Sequence, residues 1–160
     1  MPAAGDGVGE SAARSDRRAP SVERAIIAHR GLPSAAPENT MASFRAAVDA
    51  GARWIEADVD LLGDGTAAIL HDTLLDRTTD ASGSMYDLRR EDLERIDAGS
   101  WYDERFAGER IPTLDEVVAF LNTSRVNANI ELKANEQGAA RTVALIDTVV
   151  EALARLDAER

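Results

Sequence analysis

Between residues 54 and 60, apolar and polar side chains alternate strictly. Ile55, Ala57 and Val59 fall on one parity, and Glu56, Asp58 and Asp60 on the other. Alternation with period two predicts a β-strand whose two faces differ. Three further runs have strand character. Residues 25–28 are continuously apolar and end at His29. Residues 67–70 end at His71. Residues 127–133 alternate, with Ala128, Ile130 and Leu132 facing one way and Asn129, Glu131 and Lys133 the other. Helical spacing lies between and after these runs. One helix follows Asn39 and Thr40, either of which can cap it, carries Phe44, Ala47 and Val48, and stops at Gly51. A second opens at Thr113 and Glu116, a capping box, and buries Leu114, Val117, Val118 and Leu121. A third covers residues 139–156, with Val143, Ile146, Val150 and Leu153 as its expected buried stripe.

The order is β-α-β-β, an interruption over residues 73–110, then α-β-α. The interruption contains a short helical pattern over 89–96 and the aromatics Trp101, Tyr102 and Phe106. A structureless loop of that length is uncommon, which predicts an inserted subdomain. Residues 1–24, rich in Gly, Ala, Ser and Arg and without periodicity, read as a disordered tail. The fold class expected is α/β. Polar residues cluster at the ends of successive strands, and in a parallel (β/α)8 barrel those ends converge on the face that carries the active site.

Net charge narrows the partners. At −11 over 160 residues the chain lacks the basic surface that a nucleic-acid backbone needs. With no cysteine, disulfides, thiolate catalysis and cysteine-ligated zinc are excluded. No apolar run has the length to span a bilayer, and no secretory leader pattern is visible, so no stable membrane anchor and a cytoplasmic location are the expectation. The sole lysine is Lys133, and the two histidines are His29 and His71.

Carboxylates crowded on one strand face repel one another and need protons or a cation to coexist. A wet acidic face on an edge strand is the plainer explanation. The donor set favours the cation. Glu56, Asp58 and Glu131 supply hard oxygen ligands of the type that Mg²⁺ or Ca²⁺ takes. His29 and His71 are suited to general acid and base work. Arg30 can grip a phosphate oxygen and Lys133 adds a point charge. Together these groups suit displacement at phosphorus.

These residues stand in motifs: His29-Arg30-Gly31, Pro37-Glu38-Asn39-Thr40, Glu56-x-Asp58, His71-Asp72, Arg77-Thr78-Thr79, Ile111-Pro112-Thr113-Leu114 and Glu131-x-Lys133. In that order they resemble the glycerophosphodiester phosphodiesterases, from about residue 25 to 133 and beyond. The resemblance implies a TIM barrel of the phospholipase-C-like phosphodiesterase type with a small insertion after the third strand. It implies hydrolysis of a small glycerophosphodiester to glycerol 3-phosphate and an alcohol, through a cyclic phosphate or by direct attack of water. It also implies Glu56, Asp58 and Glu131 as metal ligands, His29 and His71 as the acid/base pair, Arg30 and Lys133 as phosphate contacts, and Asn39 as support for the first-strand loop. Leu62-Gly63 departs from the family, which often has Thr-Lys before the Asp-Gly turn. Length departs further. Four strands are about half of an eight-stranded barrel, which takes roughly 250 residues. The expectation is therefore an N-terminal half-barrel over residues 25–160 whose open edge favours self-association. An inactive metal-binding half-barrel and a phosphodiesterase acting on phospholipid headgroups are the alternatives.

Overall fold

The computed structural model describes residues 26–157, so the expected tail over 1–24 lies outside the described residues. The elements are α1 (Met41–Asp49), β1 (Trp54–Leu61), β2 (Ala67–Ile69), α2 (Leu114–Ser124), β3 (Asn127–Leu132) and α3 (Ala139–Leu153). Three strands form one sheet in the order β2-β1-β3.

β1 is the centre of the sheet. β3 runs parallel to it, with Glu56 opposite Asn129 and Asp58 opposite Glu131. Along its other edge, β1 first takes Ala28 and then β2. Ala28 N donates to Trp54 O and Glu56 N to Ala28 O, each at 2.9 Å. The first expected strand is thus reduced, among the described residues, to one parallel bridge, because Ile26 and Ile27 lie exposed beyond the sheet.

The run 67–70 departs from expectation in direction. β2 is antiparallel to β1, with Val59 opposite Ile69 and Leu61 opposite Ala67. The Gly63-Asp64-Gly65 turn folds the chain straight back, whereas a parallel return needs a crossover of a dozen residues or more. This segment is therefore the return arm of a hairpin and not a parallel barrel strand. The reversal still delivers His71 to the right level. Leu70 N donates to Asp58 O at 3.1 Å, so the residue after it stands beside the middle of β1.

Both faces of β1 are buried. Ile55, Ala57, Val59 and Leu61 join Phe44, Leu114, Val117, Leu121, Leu145 and Val149 in the larger core. Glu56, Asp58 and Asp60 are 5%, 0% and 1% exposed on the other face, which removes the wet-edge explanation for β1. β2 divides two cores. Ala67 and Ile69 enter the first, while Ala68 and Leu70 pack with Leu75, Met85, Leu93 and Ile96. That second core belongs largely to residues 73–110, where three short 3₁₀ turns, at Met85–Asp87, Arg90–Glu94 and Glu104–Phe106, replace longer helices. Asp60 faces the same way as its partner Ala68, so the inserted segment covers the Asp60 end of the carboxylate face of β1.

The helices follow their local signals. Thr40 caps α1 by accepting from Ser43 N, and Gly51, at φ +88°, ends it. Thr113 and Glu116 close the expected capping box of α2, which buries Leu114, Val117, Val118 and Leu121. α3 is turned relative to expectation. It buries Leu145, Val149 and Ala152, and Leu153 of the expected stripe packs half-buried on the core, while Val143, Ile146 and Val150 are 57%, 45% and 63% exposed. The helix is apolar on two sides, so periodicity alone gives two admissible inner faces, and packing on β1 and α2 selects the second. β3 has no strand on its far side among the described residues, and its side chains are half-buried or exposed. The sheet described is thus open, with no closed barrel. No helix among the described residues is long and apolar enough to cross a membrane.

Candidate metal and phosphodiester site

The first wall of the site is the turn after Ala28. Arg30 and Gly31 both take positive φ, at +56° and +88°. A Cβ on Gly31 would sit 2.3 Å from Ser43 Oγ, the atom that bonds Arg30 O and Leu32 N, so the turn admits only glycine there. The turn points Arg30 N at Glu56 Oε2, 2.9 Å away. Asn39 is also held at positive φ, and its amide clasps Asp58: Nδ2 donates to Oδ2 at 2.9 Å and Oδ1 accepts from Asp58 N at 3.4 Å. Left-handed non-glycine residues cost energy and persist where surroundings over-determine them, as these two do.

One oxygen each from Glu56, Asp58 and Glu131 lie within 4.8 Å of one another. β1 supplies the first two from alternate positions, and β3 brings Glu131 opposite Asp58. Burial, and then the Asp58 and Glu131 charges, push the Glu56 carboxyl above its ordinary value, although the Arg30 N–H and the His29 imidazole pull the other way. Glu56 Oε1 is buried with no hydrogen-bond partner. An orphaned buried carboxylate oxygen beside two more carboxylates fits a hard divalent cation.

Cations of the protein itself surround the group. Lys133 Nζ lies 3.0 Å from Glu131 Oε1 and 3.4 Å from Asp58 Oδ1. Arg30 Nε forms an ion pair with Asp58 Oδ2 at 3.3 Å, and Arg30 Nη1 donates to Glu38 at 2.9 Å. His29 Nε2 stands 3.9 Å from Glu56 Oε2 on a largely exposed ring. Burial works against the Lys133 charge, yet the Glu131 hydrogen bond and the Asp58 and Glu131 charges outweigh it and raise the ammonium above its ordinary value.

His71 follows β2 and lines a cavity together with Lys133. Its Nδ1 is 2.6 Å from Asp72 Oδ1. An ionised carboxylate only accepts, so the proton is assigned to Nδ1, and Nε2 is left free to exchange one. Hydrogen bonding from Arg77 holds the Asp72 carboxyl at about 2 against the cost of burial, with His71 adding to the effect. The folded value lies below the ordinary 3.8, so the stability Asp72 contributes is present above that pH and lost as pH falls towards about 2. Thermal melts between pH 5 and 2 are expected to show this loss and to show less of it in Asp72→Asn.

His71, Asp72, Asp60 and Lys133 line one cavity of about 450 Å³, with Leu70 and Met85 at its apolar side. A larger cleft, about 600 Å³, opens around the hairpin turn and the start of α2 and holds none of the candidate residues. Asp60, third of the strand carboxylates, has a different fate from the other two. It accepts from Tyr86 Oη at 2.9 Å, Asn135 Nδ2 at 2.8 Å and Leu61 N at 2.7 Å. Burial, and then the Asp60 contact, push the Tyr86 phenol up to about 12. Neutral donors thus satisfy Asp60, which ties the inserted segment to the loop after β3.

The model of the glycerophosphoryl diester phosphodiesterase family matches residues 29–158. The chain belongs to that family. A glycerophosphodiester phosphodiesterase of Caldanaerobacter subterraneus is 45% identical over 108 residues, 68% of this chain and 44% of the relative. One from Bacillus altitudinis is 43% identical over 109 residues, with the same coverage. Among solved structures, an Oleispira antarctica phosphodiesterase in complex with the product sn-glycerol-3-phosphate matches with a TM-score of 0.77 and 39% identity, over 85% of this chain and 54% of that one. A glycerophosphodiester phosphodiesterase from Agrobacterium tumefaciens matches with a TM-score of 0.68 and 36% identity, over 80% and 54%. The chain therefore spans about half the length of these relatives. Membership of the glycerophosphoryl diester phosphodiesterase family implies a TIM-barrel-type fold, of which three strands and three α-helices are described here.

Glu38, Asp72 and Arg77 belong to the site's surroundings, although composition and spacing gave them no role. Their signal was present: each lies inside a family motif, next to a residue with assigned chemistry or in opposite charge to one.

Proposed function

We propose that this chain carries the metal and acid/base groups of a glycerophosphodiester phosphodiesterase, converting a glycerophosphodiester and water to glycerol 3-phosphate and an alcohol. The observation that carries the reading is the cluster of Glu56, Asp58 and Glu131 with its unpartnered buried Glu56 oxygen. These three residues would hold Mg²⁺ or Ca²⁺, which supplies positive charge for the phosphoryl oxygens when bound. The protein's own groups do the rest. Asn39 fixes the Asp58 carboxylate, and Arg30 and Lys133 limit the repulsion among the ligands and face the phosphate. Of His29 and His71, one takes the proton of the attacking hydroxyl while the other donates to the departing alcohol oxygen. The new P–O bond forms to the neighbouring glycerol hydroxyl, giving a cyclic phosphate that water then opens, or to water directly. The substrate is a small soluble diester, met in the cytoplasm.

The deciding assay is hydrolysis of glycerophosphocholine by residues 1–160 with Mg²⁺, with Ca²⁺ and with chelator. Release of glycerol 3-phosphate that chelator abolishes is the expected outcome. A folded chain that binds cation and releases nothing would sink the reading for this length of polypeptide. The free edge of β3 favours one further reading, a half-barrel that self-associates through that edge. It predicts a mass above the monomer in sedimentation at micromolar concentration.

A further inference from the structure

Arg77 has no part in the reaction set out above. It lies on the inserted segment, its side chain is 45% exposed, and it touches none of the proposed metal ligands among its recorded partners. Yet every nitrogen of its guanidinium is engaged. Nε donates to Asp72 Oδ2 at 2.5 Å, Nη1 to Glu38 Oε2 at 3.0 Å and Nη2 to Glu38 Oε1 at 2.8 Å. Each carboxylate has a second partner inside the site. Asp72 receives His71 Nδ1 at 2.6 Å, and Glu38 receives Arg30 Nη1 at 2.9 Å. The contacts form one unbroken line, His71–Asp72–Arg77–Glu38–Arg30–Asp58, which runs from the end of the hairpin to the first-strand turn and β1.

We propose that Arg77 is a positioning residue that couples the two arms of the site, fixing the His71 imidazole through Asp72 and the Arg30 guanidinium through Glu38. A surface ion pair alone contributes little. This contact differs in geometry. The planar fork meets Glu38 with two parallel bonds, and the third edge fixes Asp72, so the two carboxylates cannot turn independently. A lysine offers one point charge on a flexible stem and cannot hold both orientations. The role rests on the functional reading above, since it concerns His71 as an acid/base group and Arg30 as a phosphate contact.

The test uses the chain of 160 residues labelled with ¹⁵N, in which His29 and His71 are the two imidazoles. In the parent protein the His71 Nδ1–H proton is expected to exchange slowly with solvent and to be visible by NMR. In Arg77→Met it is expected to broaden away, and Arg77→Lys does not restore it. Glu38→Gln gives the same loss although Glu38 touches neither His71 nor Asp72 in its recorded bonds, and this variant serves if Arg77→Met fails to fold. Mg²⁺ affinity is unchanged in the Arg77 variants. For glycerophosphocholine, kcat falls about 10–100-fold while KM rises far less, because misplacement by a fraction of an ångström acts on the chemical step. Absence of the His71 Nδ1–H signal in the parent protein, its persistence in both Arg77→Met and Glu38→Gln, or its full recovery in Arg77→Lys overturns the coupling. A parent chain without turnover removes the functional reading instead, and the imidazole signals then still decide whether the clamp exists.

Discussion

Asp58→Ala is expected to abolish metal-dependent turnover, with a loss of about 10²–10³-fold or more, the size seen when one charge-stabilising group is removed from a reaction centre. Asp58 is fully buried and accepts from Asn39 while facing Arg30 and Lys133. Its removal deletes one of the proposed metal ligands and leaves two cations without their shared counter-charge. Breaking a well-buried ion pair costs about 3–5 kcal/mol, and the partial exposure of Arg30 and Lys133 places this case below that range. The thermal melting point should therefore drop in Asp58→Ala, whereas Glu131→Ala, whose carboxylate is half exposed, should lose cation affinity with little change in melting. Calorimetric Mg²⁺ titration beside thermal melts separates the two effects. Full cation affinity in Asp58→Ala would remove it from the ligand set.

The histidines predict the opposite pattern. His29→Ala and His71→Ala should each lower kcat by about 10²–10⁴-fold, the usual share of general acid or base catalysis. Neither is among the three clustered carboxylates, so cation affinity should persist. His29 is the sharper case, because its ring is largely exposed and makes one recorded contact, at 3.9 Å to Glu56. Little in the fold depends on it. A merely twofold loss of kcat in His29→Ala would leave the proton transfers to other groups.

Much of the site was legible because strand chemistry is local. Alternation in residues 54–60 is a property of three or four neighbouring residues, and it placed Glu56 and Asp58 on one face before any tertiary contact was known. The capping box of α2 is equally local. The direction of β2 was not legible in the same way. Alternation says nothing about whether a strand runs parallel or antiparallel, and the short Gly63-Asp64-Gly65 turn carried the information instead. His71 reaches the candidate site all the same, since the hairpin bonds Leu70 N to Asp58 O. The inner face of α3 is ambiguous in the sequence for a different reason. Val143, Ile146 and Val150 are as apolar as Leu145 and Val149, and only the positions of β1 and α2 decide between the faces. The Arg77 line was illegible from spacing because its members come from three separate segments, 30–38, 58 and 71–77.

The lone lysine has a practical consequence. Side-chain amine chemistry has a single address in this molecule, and that address is in the candidate site, against Glu131 and Asp58. Coupling a dye or a sensor surface through side-chain amines would therefore land on Lys133 and block the cavity it lines. The protonated, carboxylate-paired ammonium is also a slow nucleophile, so such labelling would be sluggish as well as damaging. With no cysteine to offer an alternative, a tether for this protein is best built by placing a new thiol on the exposed flank of α3, away from both cores.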